Sequence, residues 1–278
     1  MAGGTNISNQ PSFIHTLLQL CRPLVLGHTI LISACYTIIG GFTFRESILI
    51  IFALLSIHAS AQLTNMLKDI EIDKINKPHR VLVRGLIKKQ HAYIFDGITI
   101  ALAFATAYLV TPFFFAMMLV LAFFAWGFTL LPVRKNAFTH AAWMAITRGY
   151  LPAYMVTLSL PIATLQFLWV LAFNPSKDYG DVVGDSIHGI KTIANQYGEG
   201  GLKMWMRLMG ITFYATLISL IALGMLPERC LTLFMVAPIA YTIPEVLKER
   251  PAFSDNNLGY DLFWWGLALN AVLLAISL

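Results

Sequence analysis

Charged side chains are scarce in this sequence. Of 278 residues, 19 are Lys or Arg and 14 are Asp or Glu, together 12% of the chain. A soluble domain usually carries about 25% charged residues and is about 45–50% apolar. This chain is 58% hydrophobic, which leaves too little polar surface to cover a globule in water. The composition therefore excludes an ordinary soluble domain and predicts an integral membrane protein.

Cysteine and long runs of one charge are also lacking. The three cysteines, Cys21, Cys35 and Cys230, are too few and too scattered for a disulfide framework, and we interpret them as packing residues. The net charge of +5 comes from cations placed mainly between apolar segments, not from a basic tail. We therefore expect membrane lipid, and no nucleic acid, as a partner.

Apolar stretches recur along the whole chain. About 20 apolar residues are needed to cross a hydrocarbon layer roughly 30 Å thick. No Pro/Gly/Ser-rich linker divides the chain, so we expect one transmembrane domain over residues 1–278. Nine segments meet the requirement: 16–42, 47–66, 90–110, 112–132, 138–157, 159–176, 204–225, 230–247 and 258–278.

The cations are distributed unevenly between the loops. Most Lys and Arg residues follow the second, fourth, sixth and eighth segments, whereas the loops on the other side hold only Arg45 and Arg229. Cytoplasmic loops of membrane proteins carry such an excess. The pattern supports nine crossings and predicts a cytoplasmic N-terminus, with the loops of residues 67–89 and 177–203 also on the cytoplasmic side.

The first of these two loops carries an acidic motif. Asn65, Asp69 and Asp73 are spaced by four residues, so a helix would align them on one face. Two carboxylates at this spacing repel each other, and the repulsion is stronger at the end of an intramembrane helix. A cation between them would remove that cost. Lys77 and Arg80 follow directly and can contact phosphate groups.

The second loop carries a related motif. Asp178, Asp181 and Asp185 are spaced by three and four residues, again compatible with one helical face, and Lys177 and Lys191 flank them. Gly180 and Gly184 keep the surface between the acids small, which would let a bulky ligand or a neighbouring helix approach. All the motif ligands are hard oxygen donors without a nearby cysteine, which favours Mg²⁺ bound together with substrate phosphate.

These motifs resemble those of a known family. The pattern N-x3-D-x3-D followed by N-K-P-x-R, which begins at Asn65, resembles the first signature of UbiA-type intramembrane prenyltransferases. The pattern K-D-x2-D-x2-G-D-x3-G-x2-T, which begins at Lys177, resembles their second. In that superfamily the motifs close helices two and six of nine, as the segmentation here predicts. Departures at Met66 and at Val81-Leu-Val83 leave the branch, and hence the substrate, open.

The resemblance implies an all-α bundle of nine transmembrane helices around a central cavity capped by the two motif loops. It implies Mg²⁺-assisted ionisation of an allylic prenyl diphosphate, with the prenyl group passing to an aromatic or lipid acceptor. The implied catalytic acids are Asp69, Asp73, Asp181 and Asp185. The implied metal ligands are Asn65, Asp69, Asp73, Asp178, Asp181 and Asp185. The implied substrate-binding residues are Asn65, Lys77, Arg80, Arg148, Lys177 and Lys191.

Two alternatives to the prenyltransferase interpretation stay open at this point. A UbiA-type terpene cyclase would use the same ionising motifs and attack the cation intramolecularly. A cation-binding transporter would use the acids differently, but no acid-lined path crosses the middle of the predicted bilayer.

Arg148 lies inside a predicted segment and is either near the acceptor or diphosphate, as the resemblance implies, or a positive-inside anchor. The seven histidines show no metal-binding spacing, and none is assigned a catalytic role.

Overall fold

The computed structural model describes residues 13–249 and 257–278, and in those ranges every regular element is a helix. The predicted all-α fold is confirmed for that part of the chain. The α-helices are α1 (Phe13–Leu20), α2 (Pro23–Ile39), α3 (Phe44–Lys68), α4 (Ile70–Asn76), α5 (Lys89–Tyr108), α6 (Pro112–Leu130), α7 (Ala137–Ala145), α8 (Leu151–Thr157), α9 (Leu160–Phe173), α10 (Val182–Ile187), α11 (Ile193–Ala222), α12 (Ala237–Thr242) and α13 (Leu258–Ser277).

Side chains define where the long helices begin. Thr43 caps α3 and forms a reciprocal capping box with Glu46, which satisfies two backbone N–H groups that have no partner inside the helix. Thr192 and Asn195 do the same for α11. Thr111 caps α6, and Pro112 at its first position supplies a backbone angle suited to a helix start.

Helices occupy all the predicted apolar segments, but two segments are less regular than expected. Segment 16–42 is broken between α1 and α2 at Arg22, whose φ of 52° is sparsely populated for a residue with a side chain. Segment 230–247 is largely a 3-10 helix, Glu228–Val236, followed by the short α12. In addition, α11 is kinked at Gly198, where φ is +67°. These irregularities have no signature in apolar composition alone.

Four helices of the described ranges are long and apolar enough to cross a membrane by themselves: α3, α6, α11 and α13. The remaining predicted crossings are shorter, more polar or assembled from consecutive helices. The count of nine therefore stays a prediction. The four long helices support the prediction of an integral membrane protein.

The core lies where α9, α11 and α13 pack together. Trp169 of α9 is fully buried between the aromatic rings of Phe173 and Phe213. Its indole N–H donates to the carbonyl of Phe263, 3.3 Å away on α13. A Cβ at Gly266 would lie 2.2 Å from the Trp169 ring, so only glycine permits this approach of α13 to α9.

One π-helical segment, Ile146–Tyr150, joins α7 to α8. Such segments carry one residue more than an α-helical turn and occur often at functional sites. Arg148 lies inside it. A Cβ at Gly149 would lie 2.5 Å from the backbone carbonyl oxygen of Gln166, so the segment packs directly against the backbone of α9.

Candidate active site

The first acidic motif follows the end of α3. Asp69 lies at the junction of α3 and α4, yet the helical hydrogen-bond pattern continues through it. The N–H of Asp69 donates to the carbonyl of Asn65 at 2.9 Å, and the N–H of Asp73 donates to that of Asp69 at 2.8 Å. Asn65, Asp69 and Asp73 therefore keep the stacked arrangement that their spacing indicates.

The second motif is not one α-helical face, contrary to the expectation. Asn174–Asp181 is a 3-10 helix, which contains Asp178 and Asp181, and α10 begins only at Val182. A 3-10 helix has three residues per turn, so it aligns Asp178 with Asp181, and the change to α geometry at Val182 gives Asp185 a different direction. The side chains of Asp185, on α10, and Asp178, on the 3-10 helix, therefore point in different directions.

Direct contacts join the two motif loops. The Asn76 amide donates to the backbone carbonyl of Asp181 at 3.0 Å and accepts from the N–H of Gly184 at 2.9 Å. The ammonium of Lys77 donates to both carboxylate oxygens of Asp181. A Cβ at Gly184 would lie 2.6 Å from the Asn76 Oδ1 atom. The prediction that Gly184 lets a neighbour approach is confirmed, and Asn76 is that neighbour.

Both motifs face one cavity at the ends of the long helices. Oxygen-bearing residues from the two loops share its wall: Asn65, Asp69, Asp73, Asp181 and Asp185. Cations from five separate parts of the chain also line it: Arg22, Lys77, Arg80, Arg134, Arg148 and Lys177. The wall continues into apolar side chains such as Ala125, Phe128 and Met144. The cavity thus combines a polar, charged end with an apolar continuation.

Three carboxylates in this wall are held by cations. The guanidinium of Arg134 binds Asp69 through two hydrogen bonds of 2.7 and 2.9 Å, and Asn65 donates to the same carboxylate at 2.7 Å. Arg80 donates to Asp73 at 2.5 Å. Asp181 is bound by Lys77, as described above. All of these carboxylates are buried or nearly so, where an unpaired charge would be costly.

Asp185 differs from the other motif acids. No ion-pair partner for it appears among the described residues, although it is buried. Burial, reinforced by the negative charges of Asp178 and Asp181, raises the pKa of Asp185 to about 7. Burial alone would also raise the pKa of Asp181, but Lys77 outweighs it and lowers that pKa overall. A cation bound at Asp185 would offset the repulsion that Asp178 and Asp181 exert on its ionised carboxylate.

Arg148 reaches the same cavity from the π-helical segment. Its Nη1 atom donates to Asn174 Oδ1 at 2.8 Å and to the Tyr260 hydroxyl oxygen at 2.7 Å. The guanidinium carbon also lies 5.6 Å from the centroid of the Trp264 ring. The structure therefore places Arg148 in the polar wall of the cavity, fixed by α13 and by the residue that follows α9.

Two predicted site residues lie outside the cavity wall. Asp178 is buried behind it, with Lys177 Nζ 3.2 Å from one oxygen and His140 Nε2 4.0 Å from the other. The Lys191 side chain is exposed, and only its backbone contributes, donating to the carbonyl of Arg134 at 2.8 Å.

Several cavity residues were missed by the sequence analysis. They are Arg22, His58, Gln62, Arg134 and His140. His58 and Gln62 precede Asn65 by seven and three residues, so helical periodicity would have identified both. No such signal exists for Arg134, which lies 65 residues beyond Asp69 in a loop after α6.

The fold and this cavity define a helical membrane protein with a charge-lined chamber at the ends of its apolar helices. The chain belongs to the UbiA prenyltransferase family, whose model matches residues 26–267. The resemblance stated from the motifs is thereby confirmed. Prenyl transfer is the general activity of this family, and the chain is an integral membrane protein of it.

Two curated relatives illustrate the range within the family. The chain is 27% identical over 235 residues to the bacteriochlorophyll synthase 34 kDa chain of Chloroflexus aurantiacus, covering 77% of this chain and 74% of the relative. It is 28% identical over 248 residues to the digeranylgeranylglyceryl phosphate synthase of Thermococcus sibiricus, covering 84% of this chain and 86% of the relative. The names of these relatives differ, so they do not define one acceptor.

Solved structures share the fold. A UbiA homologue of Archaeoglobus fulgidus bound to DMAPP and Mg²⁺ superposes with a TM-score of 0.73 at 16% identity, covering 94% of this chain and 97% of the other. A homologue from Aeropyrum pernix without ligand gives a TM-score of 0.71, also at 16% identity, covering 96% and 98%. At such identity the likeness establishes the fold alone.

Proposed function

We propose that this chain is an intramembrane, Mg²⁺-dependent prenyltransferase that ionises an allylic prenyl diphosphate and transfers the prenyl group to an aromatic or lipid acceptor. One observation carries the proposal: oxygen ligands from both acidic motifs and a set of cations line a single cavity that continues into apolar side chains. An anionic diphosphate head and a hydrocarbon tail require this combination.

The residues present fit Mg²⁺. Asn65, Asp69, Asp73, Asp181 and Asp185 offer only oxygen ligands, and burial, with the charges of Asp178 and Asp181, raises the pKa of Asp185. We propose these five residues, without Asp178, as the metal-binding set. These residues would hold the metal ion, which would supply positive charge against the leaving diphosphate and so lower the barrier to C–O cleavage.

Cation exchange prepares this set for the substrate. In the structure Arg134, Arg80 and Lys77 form ion pairs with the carboxylates of Asp69, Asp73 and Asp181. Within the described ranges, no group of three His, Cys, Asp or Glu residues is close enough to hold a metal ion. When the donor binds, these cations exchange carboxylate oxygens for diphosphate oxygens, which guanidinium and ammonium groups bind equally well. The carboxylates are thereby released for metal binding. Lys177 and Arg148 add positive charge to the same wall.

The apolar part of the cavity protects the allylic cation. Water would quench this cation, so the chamber around the allylic carbon has to be dry. Phe128 supplies an aromatic face there, and Arg134 and Lys177 lie 5.7 and 5.8 Å from its ring centroid. The diphosphate-binding cations are therefore held beside an aromatic surface, next to the place where positive charge develops.

We further propose one transmembrane domain over residues 1–278, with nine crossings and both motif loops on the cytoplasmic side. The helical runs at the predicted segments and the loop bias in Lys and Arg support this arrangement. Single cysteines introduced into a cysteine-free variant at Lys74 and at Arg229 would be labelled with an impermeant maleimide in sealed right-side-out vesicles. We expect labelling at Arg229 but not at Lys74; the opposite result would reverse the orientation.

A product assay tests the proposed activity. Purified protein would be supplied with Mg²⁺ and allylic diphosphates of increasing chain length, with and without acceptors. The acceptors would be a phenolic acid such as homogentisate, a hydroxynaphthoic acid and a monoprenylated glycerol phosphate. We expect diphosphate release and a prenylated product only when an acceptor is present.

Other outcomes of this assay would contradict the proposal. Diphosphate release with a cyclic hydrocarbon or terpene alcohol as the main product, without an acceptor, would identify a cyclase. No release under any condition, with wild-type protein indistinguishable from the Asp69→Asn and Asp181→Asn variants, would exclude both enzymatic activities. Turnover that persists in both variants would instead contradict the assignment of these carboxylates.

A further inference from the structure

His58 lies on the cavity face of α3. It precedes Asn65 by seven residues and Asp69 by eleven, so the three side chains share one helical face, and all three line the cavity. At a rise of about 1.5 Å per residue, His58 lies about 10 Å below Asn65 along the helix. It is therefore at the deep end of the cavity, away from the motif loops and toward the membrane interior.

The imidazole of His58 lacks a hydrogen-bond partner. Both ring nitrogens are buried, and neither has a donor or acceptor within reach among the described residues. His28 on α2 is different, because its Nδ1 contacts the Leu24 carbonyl at 2.7 Å. A buried polar group left without a partner costs about 1–3 kcal/mol. Polar atoms of this kind in a cavity wall indicate a partner that arrives with the ligand.

The environment of His58 favours an uncharged ring. The cavity residue Arg148 carries positive charge, and no carboxylate of the described residues forms an ion pair with His58. A buried cation without a counter-charge is strongly disfavoured. A neutral imidazole has one N–H donor and one unprotonated nitrogen, and the latter can accept a proton.

Prenyl transfer requires such a group. The C–O bond of the donor breaks and its electron pair leaves with the diphosphate. A new bond to the allylic carbon forms from an electron pair of the acceptor, which must then lose the proton of its hydroxyl group or ring carbon. The cavity carboxylates lie at the diphosphate end: cations bind Asp69, Asp73 and Asp181 there, and Asp185 belongs to the proposed metal-binding set.

We propose that His58 is the proton acceptor for the prenyl acceptor, and that the deep end of the cavity beside it is the acceptor site. This inference rests on the proposed transferase function. The acceptor's proton passes to the free ring nitrogen of His58 as the carbon–oxygen or carbon–carbon bond forms, and the imidazolium then releases it to solvent. His140, the other histidine in the cavity wall, is not equivalent, because its Nε2 lies 4.0 Å from a carboxylate oxygen of Asp178, at the charged end beside Phe128.

The variants His58→Gln and His58→Phe test the proposal in the assay described above. The acceptor used is whichever of the three probes the wild-type protein prenylates. We expect prenylated product to fall by about 10²-fold or more, the usual contribution of a general base. Metal-dependent donor binding should stay within about threefold of wild type, since the diphosphate end is intact. His28→Gln, a change of a buried histidine outside the cavity wall, is the matched control and should keep wild-type transfer.

Imidazole rescue separates a chemical role from a packing role. His58→Ala opens a space in the wall, and added imidazole should restore product formation severalfold, with no effect on His28→Ala. If His58→Gln and His58→Phe transfer normally, or if they lose donor binding in parallel with transfer, the proposal is wrong. Absence of rescue in folded His58→Ala protein, judged by an unchanged melting temperature, would also overturn it. Failure of wild-type protein with every acceptor would instead contradict the transferase function itself.

Discussion

The guanidinium of Arg134 donates two hydrogen bonds to the carboxylate of Asp69, although the residues lie 65 positions apart in the chain. The pair joins the loop after α6 to the end of α3 at the charged end of the cavity. A bidentate arginine–carboxylate contact is geometrically specific as well as strong. The same arginine therefore competes with a metal ion for Asp69 and is positioned to bind an incoming phosphate.

Removal of Arg134 should have opposite effects on the two ligands. In Arg134→Gln we expect Mg²⁺ alone to bind more tightly, because Asp69 no longer has a competing cation. The donor diphosphate should bind about tenfold or more weakly, since a hydrogen bond to a charged group contributes about 1.5–3 kcal/mol. Titration calorimetry with MnCl₂ or MgCl₂, and then with a non-cleavable prenyl diphosphate analogue, measures both. Arg134→Lys keeps the positive charge but cannot form two parallel hydrogen bonds, so both of its affinities should lie between those of wild type and Arg134→Gln. A loss of affinity for both Mg²⁺ and diphosphate in Arg134→Gln would contradict the proposed cation exchange.

The glycines of the second motif should differ in their tolerance of a methyl group. Gly184→Ala would place a Cβ 2.6 Å from Asn76 Oδ1, displace that side chain and break its hydrogen bonds to the second motif loop. We expect a loss of about 1–3 kcal/mol in stability, the usual cost of overpacking, and a large fall in diphosphate release. At Gly180 nothing lies within 4 Å of the added atom, so Gly180→Ala is the matched control. Thermal unfolding and diphosphate release report the two effects; equal tolerance at both positions would contradict the loop contact.

Asp185 should make Mg²⁺ binding depend on pH. Its pKa of about 7 in the metal-free protein means that the carboxyl group is mostly protonated at pH 6 and mostly ionised at pH 8. Since only the ionised form binds a cation, the apparent affinity for Mg²⁺ should fall about fivefold between pH 7 and pH 6, with protons released on binding. Calorimetry in buffers of different ionisation enthalpy measures that release. Asp185→Asn should bind more weakly at pH 8 and lose the dependence; an unchanged slope in this variant would assign it to another group.

The cations implied by the family resemblance should divide into two groups. Lys77 binds Asp181 in the cavity wall, so Lys77→Gln should raise the Michaelis constant for the donor by about tenfold. The side chain of Lys191 is exposed, and Lys191→Gln should keep the Michaelis constant within about twofold of wild type. Initial-rate measurements with saturating acceptor compare them. A large effect at Lys191 would mean that the loop reorganises when substrate binds.

The arrangement of the first motif could be predicted from the sequence because its ligand residues recur with the period of an α-helix. A spacing of four residues between Asn65, Asp69 and Asp73 matches the helical hydrogen bonds that the structure contains there. The all-helical fold and the membrane location follow equally directly from composition. These are local properties, and neither depends on contacts between distant parts of the chain.

The second motif and the far side of the cavity could not be derived in this way. A change from α to 3-10 geometry across Asn174–Asp181 turns Asp178 toward His140, and letter spacing does not encode that change. Arg134 reaches Asp69 only through the packing of α6 and α7. His58 is an intermediate case, because the periodicity that identified Asn65 extends back to it. Only the cavity and its unpartnered nitrogens distinguish it from a packing residue.

The π-helical segment Ile146–Tyr150 determines how the side chains of α7 are rotated about the helix axis relative to those of α8. Deletion of one residue there would restore an ordinary α-helix and rotate one side of it by about 100° relative to the other. The side chain at position 148 would then leave the cavity wall, and the hydrogen bonds to Asn174 and Tyr260 would be lost. In a sequence comparison, a relative that lacked the extra residue would be one column out of register with this chain on one side of the segment. Alignment by sequence alone would then pair Arg148 with a neighbour of its true counterpart.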